Sequence, residues 1–117
     1  MSYDISLVNK DTDEQLYINE EHNLTGGTYA VGGTKELYLN ITFNYCNIYK
    51  EYDLYIPDLD NQLVVDVISK LCSVYAEMEG EPSDNYWEPT EGNAKRALKN
   101  LITLCSMAPD AKIKVAY

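Results

Sequence analysis

Apolar and polar residues alternate at three places along the chain. Tyr3, Ile5 and Leu7 alternate with Asp4 and Ser6. Leu37, Leu39, Ile41 and Phe43 alternate with Tyr38, Asn40, Thr42 and Asn44, and Ile113, Val115 and Tyr117 with Lys112 and Lys114. A period of two puts one residue type on each face of an extended chain, so each run predicts a half-buried strand. Asn9-Lys10-Asp11-Thr12-Asp13 carries side chains that bond the local backbone, and Leu16-Tyr17-Ile18 follows it. Residues 2–19 therefore predict a β-hairpin.

Two other segments follow the helical period. Leu63, Val64, Val67, Ile68, Leu71, Cys72, Val74, Tyr75 and Met78 form a broad stripe. They predict a helix over 59–78, with Asp58 and Asp60 as candidate caps and Gly80 as its stop. Ala94, Ala97, Leu98, Leu101, Ile102 and Cys105 line one face of a second helix, which Thr90 caps and Pro109 ends. Residues 79–89, EGEPSDNYWEP, break both periods and predict a linker, with Trp87 pinning it to the core. Between Tyr45 and Ile56 the spacing fits a short helix, yet Leu54 to Ile56 fit an extended chain equally well. Pro57 ends that segment in either case.

These elements predict one α+β domain spanning 1–117. It has a small, mostly antiparallel sheet of about four strands, with two amphipathic helices packed on one face. Lysines on the outer face of the last strand suit a sheet edge.

The least ordinary stretch is HNLTGGTYAVGGT, residues 22–34, where Gly26-Gly27 and Gly32-Gly33 bracket Thr28-Tyr29-Ala30-Val31. It lacks the Lys-Ser/Thr of a phosphate loop and the spacing of a dinucleotide fingerprint, and it precedes a strand. The glycines are expected to shape the chain ahead of the Leu37–Phe43 strand. The alternative is a small-molecule or nucleotide loop with Tyr29 as a stacking ring.

Charge changes the picture next. Nineteen acids against nine bases give a net charge of −10. The acids are clustered: residues 71–94 hold no Lys or Arg but include Glu77, Glu79, Glu81, Asp84, Glu88 and Glu91. Such a field repels nucleic acid and anionic membranes and attracts basic protein surfaces. Tyrosine is also abundant, with eleven against one Phe and one Trp. It offers large contact area at low entropic cost. Tyr38, Asn40, Thr42 and Asn44 would project together from the middle strand, joined by Tyr17. Tyr17, Tyr29, Tyr38, Asn40 and Asn44, with Glu77, Glu79, Glu81 and Asp84, are the candidate partner-binding residues.

Catalytic and metal chemistry find little here. A zinc site needs about four His or Cys ligands close together, and Cys46, Cys72, Cys105 and His22 are scattered along the chain. All three thiols are expected to be buried as small hydrophobes. His22 is the sole imidazole, without a nucleophile motif beside it. No enzyme activity, cofactor or metal is expected. No apolar run approaches the ~18 residues of a membrane span. Met1-Ser2-Tyr3-Asp4 shows no basic segment leading into an apolar one, so the expected location is a cytoplasm.

Three fragments carry a family resemblance: MSYDISLVNKDT (1–12), HNLTGGTYAVGGTKELYLNITFNY (22–45) and DNYWEPTEGNAKRAL (84–98). They resemble a family of small acidic proteins encoded by phages, prophages and mobile elements of bacteria. The resemblance brings no catalytic residues. It implies a bacterial cytoplasm during infection or lysogeny, where small acidic proteins of this kind bind host defence or DNA-binding proteins. The expected function is a binding protein, an inhibitor of a basic host partner. The alternatives are a nucleotide binder using residues 22–34 and a structural or accessory phage protein.

Overall fold

The computed structural model describes residues 1–28, 33–85 and 87–117. Five strands and three helices follow in the order β1 (Ser2–Val8), β2 (Tyr17–His22), β3 (Thr34–Glu36), β4 (Tyr38–Thr42), α1 (Cys46–Lys50), α2 (Val64–Glu77), α3 (Glu91–Ser106) and β5 (Lys112–Ala116). The fold is α+β, and every paired strand is antiparallel. The strands divide differently from the four-stranded expectation. β4, β1 and β5 form a three-stranded sheet with β1 at its centre, and β2 and β3 pair separately.

The alternating pattern sets the faces of the larger sheet. Tyr3, Ile5, Leu7, Leu39, Ile41, Ile113 and Val115 are buried, and they share one core cluster with Leu71 and Val74 of α2 and with Ala97, Leu98 and Leu101 of α3.

The hairpin over 2–19 is corrected. Its turn forms, with Asn9 NH donating to the Glu14 carbonyl at 2.8 Å and Val8 bridging Gln15. The arms then part, because β1 takes β4 and β5 as neighbours. Leu16 NH still donates to Leu7 O at 3.1 Å, and Leu37 NH to Leu16 O at 3.0 Å. The Gln15 amide sits at that fork, its Nε2 within reach of the Leu7, Leu16 and Leu37 carbonyls at 3.2, 2.9 and 3.2 Å. Each of these carbonyls also accepts a backbone NH, from Leu16, Leu37 and Leu7 respectively, so the amide ties together three already bonded segments at the fork.

The 45–56 segment resolves into a 3₁₀ turn over Phe43–Tyr45, then α1, then irregular chain to a second 3₁₀ turn at Ile56–Leu59. Tyr45 and Tyr49 are buried, and Tyr49 Oη donates to the Ala94 carbonyl at 2.7 Å. The second helix starts at Val64 rather than 59, and neither Asp58 nor Asp60 caps it. Asp60 is used elsewhere: its Oδ1 accepts from Val115 NH at 2.8 Å.

Asn61 NH and Gln62 O bond Ile113 O and NH, both at 2.8 Å. β5 is thus an edge strand of its sheet, but residues 60–63 cover that edge. β4 is covered too. Thr42 NH donates to Gly26 O at 2.9 Å, and Gly26 bridges Ile41 in parallel. Both ends of the sheet are closed by irregular chain, which removes the exposed backbone that invites edge-to-edge pairing.

Candidate functional site

The acidic segment predicted as a linker is a built structure. Thr90 caps α3 as expected, its Oγ1 accepting from Asn93 NH at 3.2 Å. The Asn93 side chain is fully buried and turns back onto the preceding loop. Its Oδ1 accepts from Ser83 NH at 2.8 Å, and its Nδ2 donates to Ser83 Oγ and Asn85 O at 2.9 Å and to Glu88 O at 3.1 Å. Glu91 Oε2 accepts from Glu79 NH at 2.7 Å. Asn44 Nδ2 donates to the Trp87 carbonyl at 2.9 Å. Gly92 lets the chain pass close by: a Cβ there would lie 2.0 Å from the Glu81 carbonyl oxygen.

This fastening presents charge outward. Glu77, Glu79, Glu81 and Asp84 are all exposed. Trp87 is 50% exposed, so it is not a core residue, and its carbonyl ties the loop to Asn44. Among the described residues, an ordered acidic stretch and an exposed indole lie in one segment. Sequence reasoning missed Asn93. Its signal was an amide four residues before Ala97, on the apolar side of the helix.

The Tyr/Asn face of β4 is brought together only in part. Tyr38 Oη donates to the Asp4 carboxylate across the β1–β4 pair, and Asn40 Nδ2 donates to the same oxygen at 2.8 Å. Burial, then that bond to Asp4, pushes the Tyr38 phenol up to about 12. Thr42 is buried and caps the 3₁₀ turn with its hydroxyl. Asn44 is engaged with Trp87, and Tyr17 lies in β2, 63% exposed. Tyr38 and Asn40 share a bonded group, the exposed Asp4 carboxylate, and both are themselves half-buried. The tyrosines are divided as well. Tyr3, Tyr45 and Tyr49 are core residues, while Tyr17, Tyr55 and Tyr117 are exposed.

Tyr29 and Gly32 lie outside the described residues, together with 30 and 31. The rest of the glycine stretch has a packing role. A Cβ on Gly26 would lie 2.5 Å from Asn40 O, and Gly27 has φ +85° with the Tyr45 hydroxyl 2.2 Å from a Cβ built on it. A positive φ is a conformation only glycine adopts without strain. Asn100 Nδ2 of α3 donates to Thr25 O at 2.8 Å, so the segment is held between β4 and α3. A Cβ on Gly33 would lie 2.9 Å from the Glu21 carboxylate.

His22 is nearly buried and engaged at both nitrogens. Nε2 contacts the Glu36 carbonyl at 2.6 Å, and Nδ1 accepts from Leu24 NH at 3.2 Å. These bonds fit the Nε2–H tautomer and leave neither nitrogen to activate a nucleophile. The thiols differ from expectation: Cys105 is buried, Cys46 is half-buried and Cys72 is exposed. Burial, then the nearby Cys72, pushes the Cys105 thiol up to about 12. Among the described residues no group of His, Cys, Asp and Glu is placed to hold a metal, and no helix is long and apolar enough to cross a membrane.

No protein-family model, curated protein or solved structure matches the chain.

Proposed function

We propose that the protein is a small acidic binding protein of a phage or mobile element. It engages a basic host protein, of the defence or nucleic-acid-binding kind, through the surface built by residues 77–85, 87 and 88, in a bacterial cytoplasm. The observation that carries this reading is the four-bond anchor of Asn93 beneath that surface. A loop ordered before binding loses less conformational freedom when a partner docks, so more of the contact energy appears as affinity. Its carboxylates speed encounter with a cationic surface and set orientation. Trp87, half in solvent beside them, is the kind of aromatic group that anchors an interface.

The other readings have less support. Gly26 and Gly27 are accounted for by contacts with β4 and Tyr45, which weakens the glycine loop as a ligand pocket. The covered edges of β4 and β5 disfavour assembly by strand addition. The Tyr/Asn face is tied to Asp4, so it enters the proposal as a secondary contact only.

Affinity capture from bacterial lysate tests the reading. Immobilised protein should retain basic proteins at low ionic strength and release them as salt rises, because screening shortens the reach of exposed charge. Recovery of nothing at low ionic strength would sink it.

A further inference from the structure

Beside the acidic segment lies a half-open cavity of about 330 Å³, bordered by the end of α2, residues 80–82 and the start of α3. Its lining carries three cations against one carboxylate, Glu81. Lys95, Arg96 and Lys99, three of the chain's nine basic residues, meet there beside the Tyr75 ring. Among the described residues, none of the three has a carboxylate within ion-pair distance. The Lys95 ammonium stands over Tyr75 instead, 5.0 Å from the ring centroid. Lys95 and Lys99 are four apart on one helix, a spacing at which like charges repel. In a chain of net charge −10, an unneutralised cationic turn around a cavity is an arrangement that folding alone does not explain.

An anion relieves that repulsion. The cavity is at the small end of the range for ligand sites, and its backbone wall is close because Gly80 and Gly92 carry no side chain. A long polyanion such as nucleic acid would meet the acidic exterior along its length, whereas a compact anion meets one lining carboxylate, Glu81, against three cations. We propose that this cavity binds a compact, multiply charged phosphate compound, an oligophosphate or small phosphate ester, held by Lys95, Arg96 and Lys99. The cavity shares Glu81 with the acidic surface of residues 77–84, but its three cations are not part of that surface and the phosphate proposal does not rest on the basic-partner reading.

The test is calorimetry and thermal shift of the full chain with inorganic pyrophosphate and with ATP at low ionic strength. Both should bind and raise the melting temperature. Lys95→Gln/Lys99→Gln should weaken binding about tenfold or more, as expected for loss of two charge-assisted contacts. Lys112→Gln/Lys114→Gln makes the same charge change on β5 and should leave affinity unchanged. If circular dichroism shows that the α3 double variant is unfolded, Arg96→Gln is read in its place. Absence of binding by both probes, or equal weakening by the α3 and β5 variants, overturns the proposal. Equal weakening would mean diffuse attraction rather than a site.

Discussion

Replacing Asn93 with Ala removes the anchor of the acidic loop without touching its surface. The side chain is fully buried and serves Ser83 NH, Ser83 Oγ, Asn85 O and Glu88 O. A protein hydrogen bond contributes about 1 kcal/mol net, and a buried backbone group left without a partner costs about 1–3 kcal/mol. Ser83 Oγ also donates to Asn85 O at 2.9 Å, so that hydroxyl keeps a partner. The loop borders solvent, and water can replace some of what the amide supplied. These terms together place the loss at about 2–4 kcal/mol. Asn93→Asp sharpens the reasoning. It keeps an acceptor for Ser83 NH but aims a carboxylate oxygen at the Asn85 and Glu88 carbonyls, so it should be no better than Ala. Urea denaturation followed by circular dichroism measures the stability, and amide exchange at Ser83 measures the loop. An Asn93→Ala variant within about 0.5 kcal/mol of the parent, a change ordinary for surface positions, with Ser83 exchange unaltered, would refute the account of the loop.

Three further outcomes follow from the same geometry. Gly27→Val places a β-branched side chain at φ +85° against Tyr45 and should cost about 2–5 kcal/mol in a melting or urea experiment; unchanged melting would mean that the glycine stretch is not packed as described. The Tyr49 phenol lies well above its ordinary value because it is buried, and the Cys105 thiol stands at about 12 for the same reason and because of Cys72. Both groups bind a proton more tightly folded than unfolded. Their contribution is therefore complete below the unfolded value and is lost as pH rises through the window above about 9, by up to about 1.4 kcal/mol per pH unit for each group. Urea midpoints across alkaline pH should stay level up to that point and then fall, with the onset moved upward in Cys105→Ala; a level profile to about pH 11 contradicts the burial of these groups. Finally, the exposed Cys72 should react with a thiol reagent in the native state while Cys105 reacts only on unfolding, and equal native reactivity would contradict their placement.

What the sequence disclosed and what it hid divide along one physical line. β4, α3 and β5 were legible because their signals are local: alternation over a few residues, or a Thr90 cap followed by a helical stripe. The partners of each strand were not. The turn at residues 9–13 forms as its Asn and Asp side chains require, yet β1 gains more by taking β4 and β5 as neighbours than by continuing with residues 17–22. That choice depends on contacts distant in sequence, to which a hydrophobic period is blind. Asp60 misled for a similar reason: a residue suited to a helix cap was drawn to the edge of β5. In the candidate site, the acidic composition of residues 77–84 was plain, but its order was not. Order came from Asn93, whose polar side chain sits where the apolar stripe of α3 would place a hydrophobe.

The central claim is that an ordered acidic surface at residues 77–84 meets a cationic protein. The most direct measurement is the affinity of a captured basic partner for the parent chain and for Glu77→Gln/Glu79→Gln/Glu81→Gln/Asp84→Asn, each at two ionic strengths. The parent should bind more tightly at low salt and lose most of that advantage at high salt, and the neutralised variant should be weak and nearly insensitive to salt. Equal affinities with the same salt dependence in both proteins would contradict the account.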